Sequence, residues 1–358
     1  MTQRIETHAT AGVAPQITQR GDVKAEPQRP GRVAATAVMG IAAVVITAVA
    51  SIMFGARDVP LNEVIDGLLG NSHSIGAAAV AERLPRTVFV LVVGAALAIS
   101  GALMQAVTRN PIADPGILGV NTGAALAVVI GITVFGVNEI RGYTWFALIG
   151  GLLTAACVFT IGSLGKGGPT PVKLALAGVA TTVALSSLTT ALLLPQTRTL
   201  DVFRHWQVGS AGRGDFTSLA AIGPLLVFGA ILAAFLVPAL NTLALGDELA
   251  TVLGTRVQRT RLLGLIAGVS LAAAATAAAG PIGFVGLMVP HAVRMLTSPD
   301  LRTLLPLSAL VGAALLAAAD VTGRVIARPS ELEVGILTAV VGAPLLIYIT
   351  RRTKLREL

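Results

Sequence analysis

Charge is scarce in this chain: Asp, Glu, Lys and Arg make up 12% of its 358 residues, 54% are hydrophobic, and the mean hydropathy is +0.81. A water-soluble domain carries about a quarter charged residues, so a soluble globular fold is excluded. Cysteine is nearly absent: Cys157 is the only one. It stands in an apolar block, so neither a disulfide framework nor a cysteine metal site is open to a single chain, and a small buried hydrophobe is the expected role. Aromatics are also few, at 4%. The formal charge of +8 comes from basic residues that flank apolar blocks and are hardly interleaved with rings, a pattern of membrane orientation and not of nucleic-acid binding.

Motifs of chemistry are missing too. There is no HExxH and no GxSxG. Leu245-Gly246-Asp247 resembles part of the GxGD of membrane aspartyl proteases, but Ala244 takes the place of the required glycine. The run from Gly162 to Gly167 lacks the spacing and the hydroxyl residue of a Walker A loop, so ATP hydrolysis, if used, belongs to another subunit. The apolar blocks hold almost no ionisable residues, and Asp114 and Asp320 fall at predicted span edges. An intramembrane enzyme and an ion- or proton-coupled secondary transporter both lack their usual acidic groups; the second is the nearer alternative. His291, beside Pro290, reads as a packed or locally hydrogen-bonded residue.

What is present is a series of apolar blocks long enough, as helices, to cross about 30 Å of hydrocarbon. None alternates with period two, so an all-α fold is predicted over a barrel. Ten spans are expected, at 33–54, 87–107, 116–135, 143–164, 173–195, 218–240, 262–280, 283–297, 304–319 and 334–350. The basic residues favour the side of both tails, which places both termini in the cytoplasm of a multi-pass protein of the bacterial inner membrane. Residues 1–32 read as a mobile polar tail, 33–350 as the membrane domain and 351–358 as a basic tail. Gly119/Gly123 and Gly264/Gly268 have the spacing that lets helix backbones approach. Asn110-Pro111 and Asp114-Pro115-Gly116 predict a tight cytoplasmic turn. Between spans six and seven, Asp247 and Glu248 open a short helix closed by Gly254, with Ala250 and Leu253 expected on one face.

Six segments, in order, then resemble the FecCD family of importer permeases: RLPR at 83–86, GAALAISGALMQAVTRNPIADPGILGVNTGAA at 94–125, WQVGSAGR at 206–213, LNTLALGDELATVLG at 240–254, GPIGFVGLMVPHAVR at 280–294 and ELEVGILTAVVGAP at 331–344. The resemblance covers nearly everything after residue 33. It implies a non-enzymatic transport subunit that works with a second, identical or homologous permease, two ATP-binding subunits and an extracytoplasmic binding protein, and that imports iron–siderophore complexes, haem or cobalamin. No cofactor is expected on this chain, ATP and Mg residing on the ATPase.

The same resemblance assigns sites. Arg83, Arg86 and Arg324, placed just outside their spans, are implied to dock the binding protein; the alternative is headgroup anchoring. Gly246, Asp247, Glu248, Ala250, Leu253 and Gly254 are implied to form a helix seated in the ATPase. Thr182, Ser186, Thr190, Trp206 and Ser210 are implied to line the translocation path, against the alternative that such hydroxyls bond their own helix carbonyls. Glu333 departs from the proline usual in the last motif, which puts the local loop shape in question.

Overall fold

The computed structural model describes residues 30–71, 74–137, 139–165, 169–212 and 214–354. Most of the predicted N-terminal tail and the end of the C-terminal one lie outside them. Thirteen α-helices and, among the described residues, no strand make up the fold. They are α1 (Pro30–Met53), α2 (Leu61–Leu68), α3 (Ile75–Thr108), α4 (Val120–Thr133), α5 (Ile140–Ser163), α6 (Pro171–Leu193), α7 (Thr197–Gln207), α8 (Phe216–Leu243), α9 (Asp247–Val252), α10 (Val257–Ala279), α11 (Val285–Leu296), α12 (Leu301–Ile326) and α13 (Val334–Lys354). Seven, namely α1, α3, α5, α6, α8, α10 and α12, are long and apolar enough to cross a membrane; Val120–Thr133, Val285–Leu296 and Val334–Tyr348 are apolar but shorter.

Local chemistry starts these helices where they start. Ser74 caps α3 by accepting from the Ala77 N–H, Asp215 caps α8 through the Ser218 N–H, and Asp300 caps α12 through the Arg302 N–H. Thr170 caps α6 with Pro171 in the first turn, where a missing N–H costs nothing.

The helices α10 and α3 form the centre, with 83% and 72% of their most apolar stretches buried, against 11% for α1 and 17% for α6. The centre is built from small residues. In α10 the run Ala272–Ala275 and Ala277–Ala279 is buried, and Ser100 of α3 donates to the Gly268 carbonyl at 2.6 Å. A side chain at Gly101 would strike the backbone of Gly286, and one at Gly94 the backbone of Gly312, so α11 and α12 both approach α3 with their main chains nearly touching. The predicted pairs serve the same end: Gly123 backs onto Gly150 of α5, and Gly264 and Gly268 face Val107 and Met104 of α3. The outer helices instead expose large aliphatics, such as Val38, Ile41, Val45 and Ile46 of α1, as lipid-facing surfaces do.

Three expectations are corrected. First, α3 begins at Ile75 and runs through Pro85, and α12 continues to Ile326, so Arg83, Arg86 and Arg324 lie within helices and not beyond them. Second, 110–119 is more than one tight turn: the Ala113 N–H donates to the Asn110 carbonyl at 3.1 Å, and further irregular chain follows. After Arg109 closes α3 in the left-handed conformation, the chain passes through a 3₁₀ turn at Pro115–Leu118 that packs the Ile117 carbonyl against Gly178, seven residues into α6. Seven residues of helix are about 10 Å, so the 14-residue α4, which begins at Val120, starts well inside the bundle. Irregular backbone at that depth is tolerated because protein surrounds it. Third, Cys157 is exposed on α5, and α13 carries the helix to Lys354, past the expected boundary at 350.

The short α11 contains Pro290, which cannot donate to the carbonyl four residues back. That carbonyl is Gly286, and Gln105 of α3 supplies the missing donor: its Nε2 lies 3.3 Å from the Gly286 oxygen and 3.1 Å from that of Leu287, while its Oε1 accepts from Arg294 at 3.0 Å. Replacing Gln105 with Leu keeps the bulk and strands these buried partners, at a cost of about 1–3 kcal/mol. Unfolding of the detergent-solubilised Gln105→Leu variant is expected at a lower denaturant midpoint; an unchanged midpoint means that water replaces the amide.

Candidate functional site

Three zones carry the polar residues. In the first, α1, α3 and α12 meet around Asp320. Arg324 is 2% exposed; its Nη2 pairs with Asp320 Oδ2 at 2.8 Å and donates to Ser51 Oγ at 2.7 Å, and its Nη1 donates to the carbonyls of Ser51 and Phe54. Arg83 is also buried and donates to the carbonyls of Ile52, Met53 and Arg57. Together they cap the C-terminus of α1, where carbonyls without helical partners favour cations. Arg86 joins α3 to Asp320 at 2.6 Å and to Glu331 at 2.8 Å, and Arg328 pairs with Asp58. Arg83 and Arg324 therefore make most of their guanidinium hydrogen bonds inside the chain. Both also line, with Arg86, Glu331 and Arg57, a cleft of about 440 Å³. Asp320 and Ser51, absent from the expected set, have one sequence signature: Asp320 and Arg324 are spaced i, i+4 at the end of an otherwise apolar block.

The second zone is a cavity of about 540 Å³ between α4, α6 and α7. Ser186 and Thr190 are on its wall, with Asn121, Phe203, Arg204 and Gln207. Trp206 is not: it is buried and stacks on Phe203, with ring centroids 6.2 Å apart. It sits at a junction where Gly280 abuts its carbonyl, the Ser210 N–H donates to Ala279 at 2.7 Å, and the Gly335 N–H donates to Gly209 at 3.1 Å. Ser210 Oγ accepts from the Gly212 N–H. Trp206 and Ser210 thus hold the end of α7 to the α10–α11 loop and to α13. Thr182 faces Gly119. Thr190 donates to the Ser186 carbonyl, so the wall's hydroxyl does bond its own helix.

The third zone is α9. Gly246 and Gly254 bound it with φ of 110° and 82°, values that favour glycine. Asp247 Oδ1 accepts from Arg261 of α10 at 2.9 Å and pairs with Arg109, at the end of α3, at 3.1 Å. Glu248 is exposed. Ala250 is fully buried, whereas Leu253 is 60% and Val252 83% exposed. Ala250 and Leu253 therefore do not share a face: Ala250 seats α9 on its own chain, and Leu245, Leu249, Val252 and Leu253 form the outward apolar surface. His291, in α11, is packed, with neither ring nitrogen hydrogen-bonded. Among the described residues no cluster of His, Cys, Asp and Glu is arranged to hold a metal.

A helical membrane bundle with two short helices entered from irregular loops, a half-open polar cavity and a glycine-bounded loop helix with an apolar outer face defines a membrane permease. The chain belongs to the FecCD transport family, whose model matches residues 43–352. It is 44% identical over 321 residues to the ferric enterobactin transport system permease protein FepD of Escherichia coli (strain K12), covering 89% of this chain and 96% of that one. It is 38% identical over 325 residues to the iron(3+)-hydroxamate import system permease protein FhuB of Bacillus subtilis (strain 168), covering 88% and 83%. A solved inward-facing structure of a metal-chelate type ABC transporter superposes with a TM-score of 0.76 at 29% identity, covering 90% of this chain and 99% of that one.

The arginine cluster carries a graded prediction. Arg324→Met leaves Asp320 paired with Arg86 but strands the carbonyls of Ser51 and Phe54, at about 1–3 kcal/mol for each unsatisfied group, so it should sharply lower the unfolding midpoint in detergent. Glu331 is partly exposed, and Glu331→Gln should cost about 1 kcal/mol or less. Equal midpoints for the two variants contradict the capping role of Arg324.

Proposed function

We propose that this chain is the permease subunit of an ATP-binding-cassette importer that carries iron–siderophore complexes across the bacterial inner membrane. The observation that carries the reading is α9. A permease without a nucleotide motif needs a place where a separate ATPase can act, and α9 with its flanking residues presents four large aliphatics outward while Asp247 ties it to both central helices, α3 and α10. The family membership and the relatives' named substrates supply the chelate class.

We read the seven long and three shorter apolar helices as the ten spans expected from the sequence, and the bias of basic residues as putting both termini and α9 on the cytoplasmic side. Two such permeases would enclose the pathway, two ATPases would hold the α9 helices, and a binding protein would dock on the opposite face. Docking there falls to the rim that Arg83 and Arg324 support, with Arg86, Glu331 and Arg57 as its charged groups. ATP binding shifts the outward and inward states only through contacts that differ between them, and α9 is where this chain offers such a contact. The secondary-transporter alternative loses its best candidate, since Asp320 is held by both Arg86 and Arg324.

Two experiments test this. Cells lacking the chain should lose radioiron uptake from siderophore complexes, and uptake that survives ATP depletion under a maintained ion gradient overturns the importer reading. For α9, no atom lies within 4 Å of where a side chain at Gly254 would start, so Gly254→Val acts through its φ of 82° alone, a strain of about 1–2 kcal/mol. The variant should insert normally and lose substrate-stimulated ATP hydrolysis and uptake together. Ala250→Arg, by contrast, should unseat α9 from its own chain and expose the loop to proteolysis. A Gly254→Val complex that transports at the wild-type rate removes α9 from the coupling contact.

A further inference from the structure

The cavity between α4, α6 and α7 has an uneven polar inventory. Among the described residues its wall contains one cation, Arg204, and no carboxylate. The side chains of Arg204 and Gln207 are exposed and, among the described residues, have no hydrogen-bond or ion-pair partner. Asp201, one turn back on α7, offers its main-chain carbonyl to His205 and makes no ion pair with Arg204. The Asn121 amide oxygen accepts from Thr276 at 2.9 Å, and its amide hydrogens have no partner among the described residues. Thr189 and Thr190 donate to their own helix at Leu185 and Ser186, so towards the cavity their oxygens can only accept and bring no charge. The described lining thus carries a net positive charge with no carboxylate to balance it, and has Phe203, Leu193 and Leu200 as its apolar surface.

A guest that satisfies this wall brings acceptors and negative charge on a partly apolar body. We infer that Arg204, assisted by Gln207 and Asn121, forms a charge-selective subsite for anionic iron(III) chelates on their way through the permease. This rests on the importer reading and adds a specificity to it. A guanidinium at the rim of an apolar recess interacts with an anion more strongly than in open water, and a neutral chelate gains little from it. Phosphate headgroups share the anionic oxygen chemistry, so a lipid contact at Arg204 is the competing source and is separated by the test.

The test uses the complete complex, with its ATPase and binding protein, in proteoliposomes. The probes are a trianionic iron(III) tris-catecholate and a neutral iron(III) tris-hydroxamate, and uptake is expressed as the variant-to-wild-type ratio for each. Removing a charge-assisted contact of this kind predicts about a tenfold loss for the tris-catecholate in Arg204→Gln, with the tris-hydroxamate ratio near one. Arg204→Lys should recover most of the loss. Equal loss for both chelates, or loss for neither, overturns the subsite and leaves the importer reading standing. A loss that appears in phosphatidylglycerol vesicles and vanishes in phosphatidylcholine vesicles assigns Arg204 to lipid and also overturns it. Wild-type complex that imports neither chelate overturns the importer reading itself.

Discussion

Inside a bilayer a main-chain N–H or C=O without a partner costs several kcal/mol, because no water is there to take it. The fold is organised around the places where its helices leave such groups open. Where α1 ends, the guanidinium groups of Arg83 and Arg324 take the carbonyls of residues 51 to 54 and Arg57, and Asp320 neutralises the charge brought in to do so. Where Pro290 breaks the ladder of α11, the Gln105 amide reaches across from α3. Where α10 stops, the main chain of residues 209 and 210 meets it. Each repair joins elements distant in sequence, so satisfying the backbone and fixing the tertiary arrangement are the same event. Glycine contacts then let the remaining helices close on α3 without side chains between them.

Much of this could be read from the chain. Block length and the absence of alternation gave an all-helical membrane protein, and six ordered motifs gave the family. Glycine at 246 and 254 marked the ends of α9. What the sequence hid are features set by depth and by pairing. Arg83, Arg86 and Arg324 interrupt apolar blocks, and a hydropathy reading ends the span at a charge. A charge neutralised by a partner more than 200 residues away, as Arg86 is by Asp320, does not end a helix. The loop at 110–119 reads as a turn for a similar reason, since its Pro and Gly residues signal broken helix but not the depth at which the break is buried.

Ala250 shows a finer limit. Over a six-residue helix one face is barely two residues wide, so periodicity could not separate the side that packs on the chain from the side that meets a partner. The cavity was half legible. The hydroxyls of α6 stand out in an apolar span, and they are the groups that turn back on their own helix. The donors left over come from two distant places, Arg204 and Gln207 on α7 and Asn121 at the start of α4, which no local pattern connects.

The short helices also bear on how the protein is made. With 14 and 12 residues, α4 and α11 are about 21 and 18 Å long, shorter than the roughly 30 Å of hydrocarbon a spanning helix must cross. Neither can partition from the translocon as an independent unit in the way α1 or α8 can. Stable residence of α11 requires α3 to be already in the bilayer with Gln105 available to its broken turn. The central helices thus supply, through contacts such as Gln105 to the Gly286 and Leu287 carbonyls, the surroundings that so short a segment would not find in lipid alone.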